Sequence, residues 1–161
     1  MRSLLLFILI ASTAATHIIE GVPFVKQDSQ YCGPASLSSI LSFYGDTVDQ
    51  KTIGQDTYCE KFKGALITDL ENFARKRGFK TRSGRGTLED IRSAVSGGTP
   101  VIVLVDRGFW MVSRTHYLVI FGYDDGGFIA HNGYRASQRF PYPEFQKLWT
   151  KAGSTYLLVY R

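Results

Sequence analysis

The chain has 161 residues, of which 44% are hydrophobic and 14% aromatic, and it carries a formal net charge of +5 at pH 7. That balance excludes a disordered or low-complexity chain and suits one packed domain of ordinary size. The basic residues are dispersed without a run of five or six, which reads as a solvated face, and no nucleic-acid-binding motif occurs.

Taken in chain order, the first segment has the form of an export signal. Met1-Arg2 is a short basic start, Leu4 to Ile10 is an apolar run, and Ser12-Thr13-Ala14-Ala15 supplies small residues for cleavage. The run is far below the ~20 residues needed to span a bilayer. No cysteine follows it to carry a lipid. The expectation is therefore a signal peptide over 1–15 and a single domain over 16–161, periplasmic or secreted. The alternative is a retained N-terminal anchor.

The most informative run follows: Gln27-Asp28-Ser29-Gln30-Tyr31-Cys32-Gly33-Pro34-Ala35-Ser36-Leu37. Behind it, Leu37, Ile40, Leu41 and Tyr44 recur at helical spacing, predicting an amphipathic helix from about Gly33 to Tyr44 that stops at Gly45. Pro34 is tolerated because early helical N–H groups have no intrahelical partner. The Cys32 sulfur then sits at or just before the first turn, where the helix dipole favours thiolate, the nucleophile of cysteine chemistry.

A short helix is predicted over Val48 to Thr57. Thr68-Asp69-Leu70-Glu71 reads as a capping box opening a helix with Leu70, Phe73 and Ala74 inward and Gly78 at its end. Phe79 to Arg82 reads as a short strand. Thr87-Leu88-Glu89-Asp90 opens another helix, with Leu88, Ile91, Ala94 and Val95 inward and Gly97-Gly98 ending it. Pro100 to Val105 is apolar throughout, as strands in a sheet interior are. His116 to Tyr123 and Phe128 to Asn132 form a hairpin across Asp124-Asp125-Gly126-Gly127. Pro143 starts a last short helix, and Ser154 to Tyr160 closes the chain as a strand. Helices first and antiparallel strands after is an α+β layout. The segment Arg107 to Arg114, with Phe109, Trp110 and Met111, lies just before His116. Exposed, it is a substrate-binding lip; buried, it is core.

The candidate chemistry joins the two halves. Cys32 is the candidate nucleophile and His116, opening an apolar strand, the candidate general base. Together they are expected to rest as a thiolate–imidazolium pair. Asn132 lies across one hairpin from His116 and can orient its ring by a hydrogen bond. His131 points to the other face by period-two alternation, and is a packed histidine or a substitute if the register slips. Asp124 and Asp125 read as turn residues. Cys59 has no comparable context. A structural Cys32–Cys59 disulfide is the bland reading. The distance along the helix argues for two free thiols, because the chain must double back for a bridge. Three His and two Cys are scattered without ligand spacing, so neither metal nor cofactor is expected.

These residues carry a resemblance. Val22-Pro23-Phe24, Gln27, Cys32-Gly33-Pro34-Ala35-Ser36-Leu37, His116-Tyr117 and Gly122-Tyr123-Asp124 resemble the bacteriocin-processing, double-glycine peptidase family. The likeness is closer to that family's free-standing exported bacterial members, and it covers nearly all of the chain after Thr16. It implies a papain-like fold and a Cys–His–Asp/Asn triad, here Cys32, His116 and Asn132. It also implies an oxyanion-hole glutamine, here Gln27, with Gln30 as its rival. Two positions depart from the pattern. Asn132-Gly133 stands where Asp-Pro is usual, and Gln27 is slightly closer to the cysteine than in transporter-linked members.

The resulting expectation is an exported cysteine peptidase acting on a peptide or protein through a Cys32 acyl-enzyme. The alternatives are an amide hydrolase or acyltransferase using the same residues, and a catalytically silent peptide-binding module of the same fold.

Overall fold

Helical periodicity before residue 97 and apolar runs after it resolve into helices packed on a sheet. The structure, a computed structural model, describes residues 16–161. The expected export signal over 1–15 lies outside the described residues. In chain order the elements are β1 (His17–Ile18), α1 (Cys32–Phe43), α2 (Gln50–Thr57), β2 (Tyr58–Cys59), a 3-10 turn (Glu60–Phe62) and β3 (Gly64–Ala65). They continue with α3 (Ile67–Lys76), β4 (Lys80–Arg85), α4 (Leu88–Ser96), β5 (Val101–Asp106), β6 (Thr115–Tyr123), β7 (Gly127–His131), β8 (Gln138–Pro141), α5 (Tyr142–Lys151) and β9 (Thr155–Tyr160). The sheet is antiparallel in the order β4-β9-β5-β6-β7-β8, with β1 added on β6. The fold is α+β.

Helix α1 is not the one-faced helix that its spacing suggests. Every residue from Gly33 to Leu41 is buried. Its second face is built of small residues whose hydroxyls find main-chain acceptors: Ser38 Oγ donates to Val48 O at 2.6 Å and Ser39 Oγ to Pro23 O at 2.5 Å. A hydroxyl left unpaired there would carry a desolvation penalty, so these bonds allow the helix to lie inside the domain. Leu37, Ile40 and Leu41 are fully buried, each contributing about 1.5–3 kcal/mol by leaving water.

Helix α1 packs on β6, and α5 packs on β5 through Phe145 and Trp149. Gly33 decides how closely α1 approaches. A Cβ there would meet Ala65 Cβ at 3.1 Å and Leu70 Cδ1 and Tyr117 Cδ2 at 3.2 Å each. The start of α1 is therefore wedged between β3, α3 and β6.

Two local expectations differ from the structure. The Thr68–Glu71 capping box does not form: α3 begins at Ile67, after Leu66, with no side-chain cap. Glu71 instead is buried and accepts from Arg75 Nη2, Thr81 Oγ1 and Ser83 Oγ at 2.7–2.9 Å, which ties α3 to β4. The capping box is found at α4, where Thr87 and Asp90 hold each other's main-chain N–H. The chain also doubles back after α2. The β2–β3 hairpin returns Ala65 to the start of α1, and Cys59 and Cys32 nevertheless remain unpaired and half-buried.

Candidate active site

Cys32 is the first residue of α1, and Tyr31 before it offers no side-chain cap. The first N–H groups of the helix thus stay available near the sulfur. Burial pushes the Cys32 thiol up, while the main-chain N–H groups of Tyr117, Gly33 and Cys32 itself pull it back toward thiolate. Tyr117 belongs to β6, so strand and helix start both contribute donors to one sulfur.

His116, next to Tyr117 on β6, is buried. Its Nε2 lies 2.6 Å from the main-chain carbonyl of Asn132. A carbonyl only accepts, so Nε2 carries the proton and, in the neutral ring, Nδ1 has the lone pair. Burial pushes the imidazole down from its ordinary value; the Asn132 carbonyl opposes this, and the Arg107 and Arg114 charges add to it. Thiol up and imidazole down both favour the neutral forms. Desolvation works against the expected thiolate–imidazolium pair, and the helix-start donors work for it. Among the described residues no hydrogen bond joins the Cys32 sulfur to the His116 ring.

Asn132 reaches His116 through its backbone, whereas the expectation was a side-chain bond. Its side-chain Oδ1 accepts from Tyr134 N at 2.9 Å and Arg135 N at 2.7 Å, and its Nδ2 donates to Gln138 Oε1. The amide thus folds the loop after β7, and the loop presents the carbonyl. The β6–β7 register pairs Val119 with His131 and Ile120 with Ala130. Continued past the strand ends, it sets position 134 opposite position 116. Tyr134 indeed stacks on His116, with ring centroids 5.9 Å apart and planes 6° from parallel. Sequence reasoning missed Tyr134. The signal for it was this cross-strand register, which needs the exact pairing.

Gln27 is buried and held at both ends. Its main-chain N–H donates to Gly133 O at 2.9 Å, and its Nε2 donates to the Tyr134 hydroxyl at 3.1 Å. Oε1 is buried without a donor against Gly133, where a Cβ would come within 2.2 Å. Gly133 has φ +79°, a conformation closed to proline. The Asn132-Gly133 departure therefore makes room for Gln27. The rival Gln30 takes the Tyr58 hydroxyl on its Oε1.

Gln27, Cys32, His116 and Tyr134 line one cleft of about 860 Å³, together with Phe62, Lys63, Arg107 and Arg114. His131 is elsewhere. Its Nε2 donates to Val22 O at 3.1 Å, its Nδ1 accepts from Ser137 N at 3.2 Å, and Phe121 packs 4.4 Å from its ring. It is a satisfied core histidine on the rim of a separate hollow of about 460 Å³. Asp124 sits in the hairpin turn, paired with Arg139 at 2.7 Å. The Phe109–Val112 segment is exposed, which removes the core reading.

The sequence profile of the Peptidase_C39 like family matches residues 19–157. The chain belongs to that family. Solved structures with the same fold include the peptidase domain of Streptococcus ComA, a bi-functional ABC transporter involved in a quorum-sensing pathway. It has a TM-score of 0.71 at 24% identity, covering 87% of this chain and 98% of that one. A C39-like peptidase from Bacillus anthracis superposes with a TM-score of 0.76 at 18% identity, covering 91% and 98%. A double glycine motif protease from an AMS/PCAT transporter, solved in complex with the leader peptide, gives 0.71 at 19% identity, covering 91% and 96%. No curated protein sequence matches the chain. The fold is that of the papain-like C39 peptidase domains. Among the described residues, no helix is long and apolar enough to cross a membrane.

Proposed function

We propose that this C39-family chain is a cysteine peptidase cleaving its substrate through an acyl-enzyme on Cys32. The observation that carries the reading is the tautomer of His116. The Asn132 carbonyl accepts a hydrogen bond from Nε2–H, leaving Nδ1, among the described residues, without a partner in the cleft that also contains Cys32. Nδ1 takes the thiol proton as sulfur attacks the scissile carbonyl carbon. The resulting oxyanion is met by Cys32 N–H and Gln27 Nε2, once the latter leaves the Tyr134 hydroxyl. The imidazolium returns its proton to the leaving amine as the C–N bond breaks. Water, deprotonated by the same nitrogen, then attacks the thioester; the C–S bond breaks, the acid leaves, and the imidazolium returns its proton to the Cys32 sulfur. In this scheme Asn132 orients the ring through its carbonyl.

The missing sulfur–imidazole hydrogen bond favours a second reading, a peptide-binding module without turnover. Resting sites often tighten only around substrate, so the peptidase reading stands first. We further propose that residues 1–15 direct export and that 16–161 act as one domain outside the cytoplasm. N-terminal sequencing of protein recovered from its host tests that part.

The decisive experiment is cleavage of a peptide library, with Cys32→Ala as control and a thiol-reactive peptide electrophile as probe. Wild type is expected to cleave and to be labelled on Cys32, and Cys32→Ala to do neither while folding normally. Peptide binding with neither cleavage nor labelling would favour the binding module.

A further inference from the structure

The β5–β6 connection puts its largest apolar side chains into water. Phe109 is 85% exposed, Trp110 89%, Met111 87% and Val112 72%. Large contiguous apolar patches on a soluble surface mark a partner. This one is built to protrude. Asp106, at its base, accepts from Gly108 N, Arg114 N and Ser113 Oγ at 2.7–2.8 Å. Arg107 N donates to Arg114 O at 3.0 Å, and Val112 N to Phe109 O at 3.1 Å. Lys151 on α5 holds Gly108 O at 3.1 Å. Gly108 cannot be replaced without collision, since a Cβ there would lie 1.8 Å from Val112 O.

The surroundings say what the tip meets. Arg107 and Arg114 flank it and, among the described residues, enter no ion pair. The only carboxylate of the hairpin, Asp106, is taken up by its three donors. Arg107, Ser113 and Arg114 line the cleft, whereas Phe109, Trp110, Met111 and Val112 do not. The apolar residues thus extend beyond the cleft. A protruding apolar tip that carries tryptophan, with a cationic collar at its base, complements apolar chains beneath a layer of phosphates.

We propose that this hairpin docks the protein on an anionic lipid bilayer, with Phe109 to Val112 entering the interface and Arg107 and Arg114 meeting lipid phosphates. The cleft then opens beside the membrane surface, toward substrates held there.

The test is sedimentation with vesicles of phosphatidylcholine alone or mixed with phosphatidylglycerol, together with tryptophan emission. Trp149 is 2% exposed in the core, so any change in emission reports Trp110. The protein is expected to sediment with the anionic vesicles and not the neutral ones, with a blue shift. Trp110→Ser with Met111→Ser should weaken partitioning at least about tenfold. Arg107→Glu with Arg114→Glu should weaken it by about fivefold or more for each charge removed. Both pairs lie on the surface, and circular dichroism checks that the variants fold. Unchanged emission, equal binding to neutral vesicles, or full binding by the tip variant would each overturn the proposal. So would a tip variant that raises KM for a soluble peptide while wild type ignores vesicles, since the tip would then belong to a peptide partner. No vesicle readout depends on turnover, so this proposal and the peptidase reading fail separately.

Discussion

His116 and His131 are on neighbouring strands, β6 and β7, and share more than their residue type. Both are buried, both are pushed below the ordinary histidine value chiefly by desolvation, and both donate an Nε2–H hydrogen bond to a main-chain carbonyl. They differ at one atom. Nδ1 of His131 accepts from Ser137 N–H, whereas Nδ1 of His116 makes no hydrogen bond among the described residues and its ring borders the cleft. A base needs an acceptor that the fold has left unoccupied. Burial and a perturbed pKa by themselves mark both rings equally.

The largest expected effect breaks this comparison directly. His116→Gln should lower kcat/KM by roughly 10²–10⁴-fold, the range for losing a positioned general base. His131→Gln should leave kcat near wild type and instead destabilise the fold by about 1–3 kcal/mol, because Val22 O and Ser137 N lose their buried partner. Sign matters here. The folded-state value of His131 is depressed, so its neutral ring contributes stability above about pH 6.5 that fades as pH falls below it. The gap between wild type and His131→Gln in denaturant melts should narrow in acid. Equal activity losses in the two variants would sink the distinction.

Asn132→Ala sharpens the comparison at the other nitrogen. The carbonyl that fixes the His116 tautomer belongs to the backbone and survives the substitution, while the loop it hangs from loses three hydrogen bonds. A loss in kcat of about tenfold is expected, far short of the ~10⁴-fold that follows when a triad loses its orienting side chain. Steady-state kinetics showing the larger loss would return the orienting role to the amide. Gly133→Ala should cost about 1–2 kcal/mol from its left-handed backbone alone and should displace Gln27, read as a fall in kcat with KM little changed. A variant with wild-type melting and turnover would remove Gln27 from the oxyanion site. The smallest effect is a displacement of the pH profile. Because the imidazole is held down, the acid limb of kcat/KM should fall below the ordinary histidine value of about 6.5. A limb at or above that value would show that burial does not hold the imidazole down, whereas a resting ion pair would place the histidine value on the alkaline limb instead.

How much of this was legible before the structure depends on range. Cys32 at a helix start followed from Gly33-Pro34 and the apolar spacing behind them, both local signals, and the interior strand β5 followed from an unbroken apolar run. Strands of two residues, such as β2 and β3, carry no periodicity to read. The Thr68–Glu71 pattern satisfied a local rule, but Glu71 gains more from Arg75, Thr81 and Ser83, two of them on another element. At the site, the sequence pointed to the residue Asn132 but could not tell main chain from side chain. Tyr134 depended on a register set by a bulge between Ile120 and Gly122, which no short-range signal announces.

Gly133 has a consequence for how such chains diverge. With φ at +79° and Gln27 lying across its missing Cβ, the position rejects proline whatever stands at 132. An ancestor or descendant bearing Asp-Pro there is separated from this chain by a rebuilt loop and a moved glutamine, not by two independent point changes.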